Sequence, residues 1–398
     1  MLAALLPFLT ACAQTLSTQG AKPASAPPAP ARVMAAPATP DDSSPADAAV
    51  TAYALPSARD EAPGAGPVAA AQKLQPHIAL ILPLGSRTFA KVADAVKQGF
   101  LAGANADGKN APPFRVYTAD DDTGSLATQY RRAAAEGAAA IVGGVTRDGA
   151  NIMARESSYL PNLALNAPAN DSDLPDRFFY VSLNLDWEAR LAARTAANDG
   201  LRRVAIITAG TPLAKRVQES FEKEWIRLGG EIAVRLSVSG DLSEGPRVTA
   251  AMEKATADVT FLAVEMRIAR FVRPYLPVGI PVFSTSMTID PRADAVENLD
   301  LESVRFMEMP WFVQPDHPAV MAYSKPAEPM PIDYERLYAL GIDAWRLAQL
   351  VVGTSQAKNI PPLDGVTGRI TLEGHQFVRM LASGEMRDGR PTLYKPSE

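Results

Sequence analysis

Ile78-Ala-Leu-Ile-Leu-Pro-Leu84 is a short, unbroken apolar run, and such a run predicts a parallel strand that is buried on both faces. Gly85-Ser86 interrupts it, and apolar residues then recur at the spacings of an amphipathic helix: Phe89, Val92, Val96 and Phe100. Phe114–Tyr117 and Ala139–Val142 predict two further strands, separated by a second helix. This alternation predicts a parallel sheet with right-handed crossovers and helices on its faces.

The same alternation begins again in the second half of the chain. Val204–Ile207, Ile232–Val238 and Val259–Val264 predict three strands, again with a helical pattern in each interval. Two such units in one chain predict an α/β fold of two lobes, each a parallel sheet flanked by helices, with a crevice between the lobes. We assign the lobes approximately as follows: lobe 1, residues 77–184 and 289–357; lobe 2, residues 185–288 and 358–398.

The expected crevice gives a set of candidate ligand-contacting residues. Open parallel sheets bind ligands at the carboxyl ends of their strands. The turns that follow the predicted strands contain nine candidate crevice-lining residues: Gly85, Ser86, Gly143, Gly144, Asn166, Gly210, Thr211, Glu265 and Met266.

Residues 1–12 are predicted to be a lipoprotein signal segment. An apolar stretch ends in Leu9-Thr-Ala-Cys12, and Cys12 is the single cysteine of the chain. These four residues resemble the lipobox of bacterial lipoproteins, in which the cysteine is lipidated. The resemblance implies a lipid on Cys12, and Ala13 in the next position implies sorting to the outer membrane. The alternative is an apolar N-terminus with an incidental cysteine.

Residues 13–76 are predicted to be a disordered tether. Ala and Pro dominate this segment, as in Ala26-Pro-Pro-Ala-Pro30, and large apolar residues are few. Such a composition cannot bury enough surface to offset the entropy of ordering. A polyproline II chain of this length would reach on the order of 200 Å at most, and about 50 Å on average.

Composition excludes several classes of function. The formal net charge of −5 offers no basic surface for nucleic acid. A single cysteine allows neither an intrachain disulfide nor a cysteine-based zinc site. His77, His317 and His375 are far apart in sequence and form no ligand-spaced pair. The sequence therefore predicts no metal site and no cofactor.

Motifs that could support catalysis are better explained as structure. Gly143-Gly-Val-Thr-Arg-Asp-Gly149 lacks the Lys-Ser/Thr ending of a phosphate-binding loop, so it is interpreted as a turn. Asp120-Asp-Asp122 lacks the spaced ligands of a calcium loop and is interpreted as a solvated strand end. Ser86, Ser284 and Ser286 have no accompanying nucleophile motif. The sequence therefore predicts a protein that is not an enzyme.

Several short motifs, taken in order, resemble the penicillin-binding-protein activator family of lipoproteins, whose module has the type I periplasmic-binding-protein fold. The matching segments are Ile81–Leu84 with Phe100–Ala102, Met309-Pro-Trp311, Tyr338–Ala348, Gly365–Ile370 and Arg387-Asp-Gly389. The resemblance covers residues from about 77 to 391. The best-known members carry a helical-repeat domain ahead of this module, and no repeat of that kind is found in residues 13–76.

Two non-enzymatic functions are compatible with these observations. The resemblance implies a lipoprotein on the periplasmic face of the outer membrane that binds and activates a class A penicillin-binding protein. Such a protein is a peptidoglycan synthase that acts in cell-wall growth. The parent fold instead implies a periplasmic protein that binds a small polar solute in the crevice, for uptake or sensing. Fold alone does not choose between them, but the lipobox, the tether and the family motifs favour the activator.

Substituting Cys12→Ser should abolish lipidation and release the protein from the membrane fraction, because serine cannot form the thioether to the lipid. The measurement is incorporation of labelled palmitate together with fractionation of the outer membrane. Ala11→Gly, which keeps a small residue before the cysteine, is the control. Retention of the serine variant in the outer membrane, with no label on the wild type, would contradict the prediction.

Overall fold

In a computed structural model of the chain, residues 75–120, 123–157, 159–353 and 360–395 are described. They all belong to one compact unit, residues 70–398. The predicted signal segment, its Cys12 and all but the last two residues of the predicted tether lie outside the described residues.

Helices separate most consecutive strands up to residue 308, as the sequence predicts, whereas the last five strands follow one another without helices. The strands are β1 (His77–Leu82), β2 (Phe114–Thr118), β3 (Ala138–Gly143), β4 (Asn162–Ala164), β5 (Phe178–Val181), β6 (Arg203–Thr208), β7 (Glu231–Ser237), β8 (Val259–Ala263), β9 (Val282–Ser284), β10 (Val304–Glu308), β11 (Leu363–Gly365), β12 (Gly368–Glu373), β13 (Gln376–Met380), β14 (Ala382–Arg387) and β15 (Arg390–Leu393). All six residues of β1 are buried, as expected for a strand in the interior of a parallel sheet.

Helices connect these strands, and several begin at a side-chain cap. The helices are α1 (Ala90–Asp107), α2 (Thr123–Ala135), α3 (Arg147–Glu156), α4 (Leu185–Asn198), α5 (Pro212–Arg227), α6 (Gly245–Ala255), α7 (Met266–Val272), α8 (Ala295–Asn298), α9 (Pro310–Val313), α10 (Pro318–Met321) and α11 (Ile332–Gly353). Thr146, Asn184 and Thr211 accept a backbone N–H at the starts of α3, α4 and α5. No helix among the described residues is both long and apolar enough to span a membrane.

Two sheets form the two lobes. The first has the strand order β11-β12-β13-β5-β4-β3-β1-β2, and the second has the order β15-β14-β10-β9-β8-β6-β7. The pairs among β1 to β5 and among β6 to β10 are parallel, whereas β11 to β13 pair antiparallel with one another, as do β14 and β15. The prediction of two parallel sheets flanked by helices is thus confirmed for the central strands.

The predicted division into lobes is wrong for two segments. Strand β10 was assigned to lobe 1, but it pairs with β9 in the second sheet, Val304 beside Val282. Strands β11 to β13 were assigned to lobe 2, but β13 pairs with β5 in the first sheet, Gln376 beside Tyr180. The chain therefore crosses between the lobes three times: after β5, between β10 and α11, and between β13 and β14. These strands find partners far away in sequence, so no local pattern reveals their sheet.

Apolar side chains cover both faces of each sheet. In lobe 1, Phe100 of α1 and Trp345 of α11 pack edge to face at 5.0 Å, over a core that includes Leu80. In lobe 2, Phe221 of α5 stacks on Phe261 of β8. Helices α2 and α3 and helices α6 and α7 cover the opposite faces.

Helices α1 and α11 approach each other closely because each has a glycine at the crossing. A Cβ atom at Gly99 would overlap the carbonyl oxygen of Tyr338, and one at Gly341 would overlap the carbonyl oxygen of Val96. The obstruction is backbone, which cannot rotate away as a side-chain tip can. The crossing therefore requires glycine at both positions for steric reasons.

Replacing Gly99 with alanine should lower the free energy of unfolding by about 1–3 kcal/mol, the usual cost of overpacking a rigid site, despite the higher helix propensity of alanine. Urea denaturation would measure the change. Gly353→Ala at the end of α11, where a Cβ meets no atom within 4 Å, is the matched control and should be neutral or slightly stabilising. Equal stabilities of the two variants would contradict this account of the crossing.

Candidate functional site

A cavity of about 700 Å³ opens between the two lobes. Helix α11 supplies one wall, while α4, α5, α7 and the segment after β9 supply the other. The lining residues are Leu183, Leu185, Glu188, Leu213, Glu265, Met266, Arg267, Ser286, Met287, Ile289, Asp290, Met309, Ile332, Asp333, Arg336 and Leu337. Nine of these sixteen are Leu, Ile or Met, so the wall is mainly apolar.

The structure brings two of the nine predicted crevice residues to this cavity. Glu265 and Met266 lie at the start of α7, directly after β8, and both line it. Gly210 and Thr211 follow β6 but are not lining residues. Thr211 instead caps α5, with its Oγ1 3.2 Å from the Ala214 nitrogen.

The five predicted residues of lobe 1 are also not among the lining residues of this cavity. Ser86 Oγ accepts the N–H groups of Thr88 and Phe89 at 3.1 and 2.7 Å, before α1. Asn166 Nδ2 donates to the Val145 carbonyl at 3.0 Å. Gly85 donates its N–H to the Ala119 carbonyl.

Gly143 and Gly144 hold the turn between β3 and α3. A Cβ at Gly143 would lie 2.5 Å from the carbonyl oxygen of Ile81, and Gly144 has a φ of +61°. Both positions therefore suit glycine for steric reasons. These two remain proposed rather than observed crevice residues, as do Gly85, Ser86, Asn166, Gly210 and Thr211.

The floor of the cavity holds an ion pair that the sequence analysis missed. Arg336 of α11 donates from Nη2 to Glu308 Oε2 at 2.6 Å, and Glu308 is 1% exposed at the end of β10. Arg336 also donates to the carbonyl oxygens of Ser286 and Ile289, at 3.1 and 3.2 Å. Burial disfavours its charge, but attraction to Glu308 prevails and raises the pKa of Arg336. The pair joins a helix of lobe 1 to a strand of lobe 2.

Glu188 of α4 is a second buried carboxyl beside this pair. Its Oε2 accepts the backbone N–H of Ser286 at 2.9 Å. Burial and then repulsion by Glu308 raise the pKa of Glu188 to about 7. Its carboxyl is thus poised to change its charge near neutral pH.

Further buried charges tie the crossovers together. Asp343 of α11 accepts the N–H groups of Val366 and Thr367 and the Thr367 hydroxyl, at 3.0, 2.8 and 2.6 Å. Arg379, next to the third crossover, donates to the carbonyl of Ser182 in the first crossover at 3.0 Å. The Asp343 bonds join α11 to the turn between β11 and β12 within lobe 1, the Arg379 bond joins two crossover segments, and the Arg336–Glu308 pair joins the two lobes.

One signal could have identified two of these residues. Arg336, Leu340, Asp343 and Leu347 follow one another at spacings of four, three and four, so two charges lie on the apolar stripe of α11. A charge on a buried stripe requires a partner. The sequence alone offers no means of identifying Glu308 or Glu188 as the neighbours.

The site has limited chemical capacity. The hydrogen bonds of Arg336 go to Glu308, Asp333 and two backbone carbonyls, so the cation on the cavity floor is already engaged by the protein. Among residues 75–120, 123–157, 159–353 and 360–395, no three His, Cys, Asp or Glu side chains are grouped as a metal site. The cavity therefore suits an apolar group better than an anionic one.

Comparison with known proteins places this architecture among lipoproteins and periplasmic binding proteins. A family model described as "LppC putative lipoprotein" matches residues 67–241 and 245–387. "Penicillin-binding protein activator LpoA" of Yersinia pseudotuberculosis is 25% identical over 381 residues, which cover 74% of this chain and 57% of that protein. The chain spans about half the length of the curated relatives it matches.

Two solved structures resemble the described fold. One is described as a "putative branched-chain amino acid ABC transporter" from Chromobacterium violaceum; it is 32% identical with a TM-score of 0.68, covering 78% of this chain and 100% of that one. The other is the "LpoA (YraM) C-domain from Haemophilus influenzae, a regulator of PBP1A", 20% identical with a TM-score of 0.65, covering 80% and 100%. The predicted type I periplasmic-binding-protein fold and the predicted family are both confirmed.

Arg336→Met should cost about 3–5 kcal/mol of unfolding free energy, because it leaves Glu308 buried without its cation. Arg336→Met combined with Glu308→Leu should recover most of that loss, since an apolar pair removes both charges together. Chemical denaturation of the wild type, of both single variants and of the double variant gives the unfolding free energies of a double-mutant cycle. A double variant no more stable than Arg336→Met would count against the ion pair as the source of the effect.

The pH dependence of stability should carry a contribution from Glu188. Because its folded pKa of about 7 exceeds the ordinary value of 4.5, its stabilising contribution is full below about pH 4.5 and is lost as the pH rises through 7. One pKa unit corresponds to about 1.36 kcal/mol, so the loss is on the order of 3 kcal/mol.

Glu188→Gln removes this titration. The free energy of unfolding of the variant, relative to that of the wild type, should therefore be higher at pH 8 than at pH 5. Denaturation at both pH values measures the difference. Glu265→Gln, which makes the same change of side chain at an exposed position of the same cavity, is the matched control. A Glu188→Gln profile parallel to the wild type would rule this contribution out.

Proposed function

Because this chain belongs to the LppC lipoprotein family, we propose that it binds and activates a class A penicillin-binding protein, a synthase of peptidoglycan. The observation that carries the proposal is the match to relatives named as penicillin-binding protein activators, which spans most of the two-lobed region. The Haemophilus influenzae domain described as a regulator of PBP1A has the same fold.

The site supports a role in binding rather than in catalysis. Its buried charges are bonded to one another, to backbone groups or, in the case of Glu188, to both the backbone and the side chain of Ser286. A protein without chemistry of its own can raise a reaction rate by binding an enzyme. We therefore propose a non-catalytic regulator.

Lipidation of Cys12 would place this regulator on the periplasmic face of the outer membrane. Membership of a lipoprotein family supports the anchor, and Ala13 after the cysteine supports the outer rather than the inner membrane. The Ala/Pro-rich segment before residue 77 would let the two-lobed unit reach toward a synthase in the inner membrane.

Activation requires that the regulator prefer one state of its partner. It must bind the active conformation of the synthase more tightly than the resting one, since only differential affinity shifts a population. A tenfold activation needs a difference of about 1.4 kcal/mol, which a small number of contacts can provide.

Solute binding is the second candidate, and a specific observation favours it. The Chromobacterium violaceum structure is described as a "putative branched-chain amino acid ABC transporter", and the cavity here is lined largely by apolar side chains. An apolar amino acid side chain would suit that wall. Against this candidate, the cation on the cavity floor is bound to Glu308 and is not available to a carboxylate.

Addition of the purified protein to class A synthases of its own organism should raise glycan polymerisation or cross-linking several-fold. Consumption of lipid II and the yield of cross-linked peptides are the two readouts. Thermal shift with leucine, isoleucine, valine and methionine tests the rival in parallel. Unchanged rates with every synthase, together with a millimolar or tighter amino acid ligand, would falsify the activator proposal.

A further inference from the structure

The outer surface of α4 and α5 in lobe 2 carries a tryptophan between arginines. We define the α4–α5 patch as Asp186, Trp187, Arg190, Arg194, Arg216, Glu224 and Arg227. Trp187, Arg190 and Arg194 are spaced by three and four residues and so share one side of α4. All three are partly exposed.

Trp187 is held rigidly in this patch. Its Nε1 donates to the carbonyl oxygen of Arg379 at 2.7 Å, which ties the ring to the end of β13. The guanidinium carbons of Arg190 and Arg194 lie 5.2 and 5.0 Å from the centre of the ring. Both distances are typical of cation–π contacts.

The other arginines of the patch already have carboxylate partners. Arg194 and Arg227 both donate to Glu224, at 2.6 and 2.7 Å, and the Arg227 hydrogen bond is the main reason that the pKa of Glu224 is lowered to about 2. Arg216 donates to Asp186 at 2.9 Å.

Arg190 alone in the patch has no carboxylate. No hydrogen bond or ion pair joins it to any of the described residues, although its stack on Trp187 orients it. Burial lowers its pKa, and the nearby carboxylates of Asp186 and Glu224, which are bonded to other arginines, offset that effect only in part. A planar guanidinium that is preorganised, partly desolvated and unpaired is suited to a bidentate bond with a carboxylate.

We propose that the α4–α5 patch is the docking surface for an acidic segment of the peptidoglycan synthase, with a partner Asp or Glu carboxylate bound by Arg190. This inference rests on the proposed function and adds the surface through which it acts. Tryptophan and arginine are the residues most enriched among the hot spots of protein interfaces. The carboxylate would reduce the excess of positive charge in the patch, where four arginines stand against two acids.

A lipid surface fits the patch less well than a protein. Recognition of anionic membranes uses clusters of about four to eight lysines or arginines. Here three of the four arginines are ion-paired with Glu224 or Asp186, and Arg190 beside the aromatic ring is the one without such a pair among the described residues. That arrangement offers one directed bond rather than a diffuse positive field.

The test compares binding of the full chain and its variants to purified class A synthases. We expect Arg190→Ala to weaken binding about tenfold or more and Arg190→Glu to weaken it further, because a desolvated charge pair is lost or reversed. Arg190→Lys keeps the charge but not the fork, so it should fall between the alanine variant and the wild type. Arg155→Glu on α3 of lobe 1, an exposed arginine, is the control and should bind as the wild type does.

A second measurement uses the unaltered protein, so it does not depend on how a variant folds. Phenylglyoxal modifies accessible arginines, and mass spectrometry locates the adducts. Bound synthase should protect Arg190 and leave Arg155 reactive.

The outcomes separate this inference from the proposed function. Synthase binding by the wild type that Arg190→Glu leaves unchanged, with Arg190 unprotected, would overturn the docking surface while the activator role stands. No synthase binding by the wild type would overturn both. Arg190-dependent binding to phosphatidylglycerol vesicles, without an effect on synthase binding, would assign the patch to a membrane instead.

Discussion

The buried pair of Arg336 and Glu308 is the interaction on which the arrangement of the two lobes depends. Apolar side chains also meet where the lobes join, since Tyr338 and Ile342 of α11 share a core with Phe221 of lobe 2, but the buried charges there add a requirement for specific partners. Arg336 belongs to α11 of lobe 1, and Glu308 ends β10 of lobe 2. A charge taken out of water is costly unless its partner is in place, so each residue constrains the position of the other.

The same constraint bears on function. In a binding protein that closes on a solute, the groups between the lobes must be able to exchange their partners for those of the ligand. Here Arg336 is bound to a carboxylate, and Asp343 and Arg379 are bonded to turns and crossovers. This describes a junction built to stay fixed, which suits a protein that presents an outer surface to a partner. Burial raises the pKa of Glu188 to about 7, so the charge of this junction changes near neutral pH.

Family membership indicates the kind of partner, whereas the structure indicates the surface that would bind it. The family and the named relatives direct attention to a peptidoglycan synthase as partner. They do not say which surface of the two-lobed unit would meet it. The arrangement of Trp187 and Arg190 on α4 supplies a candidate, because an oriented arginine without a carboxylate has a definite chemical complement.

The sequence by itself determined the central strands and helices of each lobe, their repetition as two units and the family, because each is encoded in local periodicity or short motifs. The turn residues Glu265 and Met266 were also predictable as crevice residues, since they directly follow a buried strand. Only the tertiary structure decided that β10 joins the second sheet and β11 to β13 the first. It alone paired Arg336 with Glu308, 28 residues away, and Arg379 with Ser182, 197 residues away. Local periodicity indicates that a residue is buried, but it carries no information on which distant group will neutralise its charge.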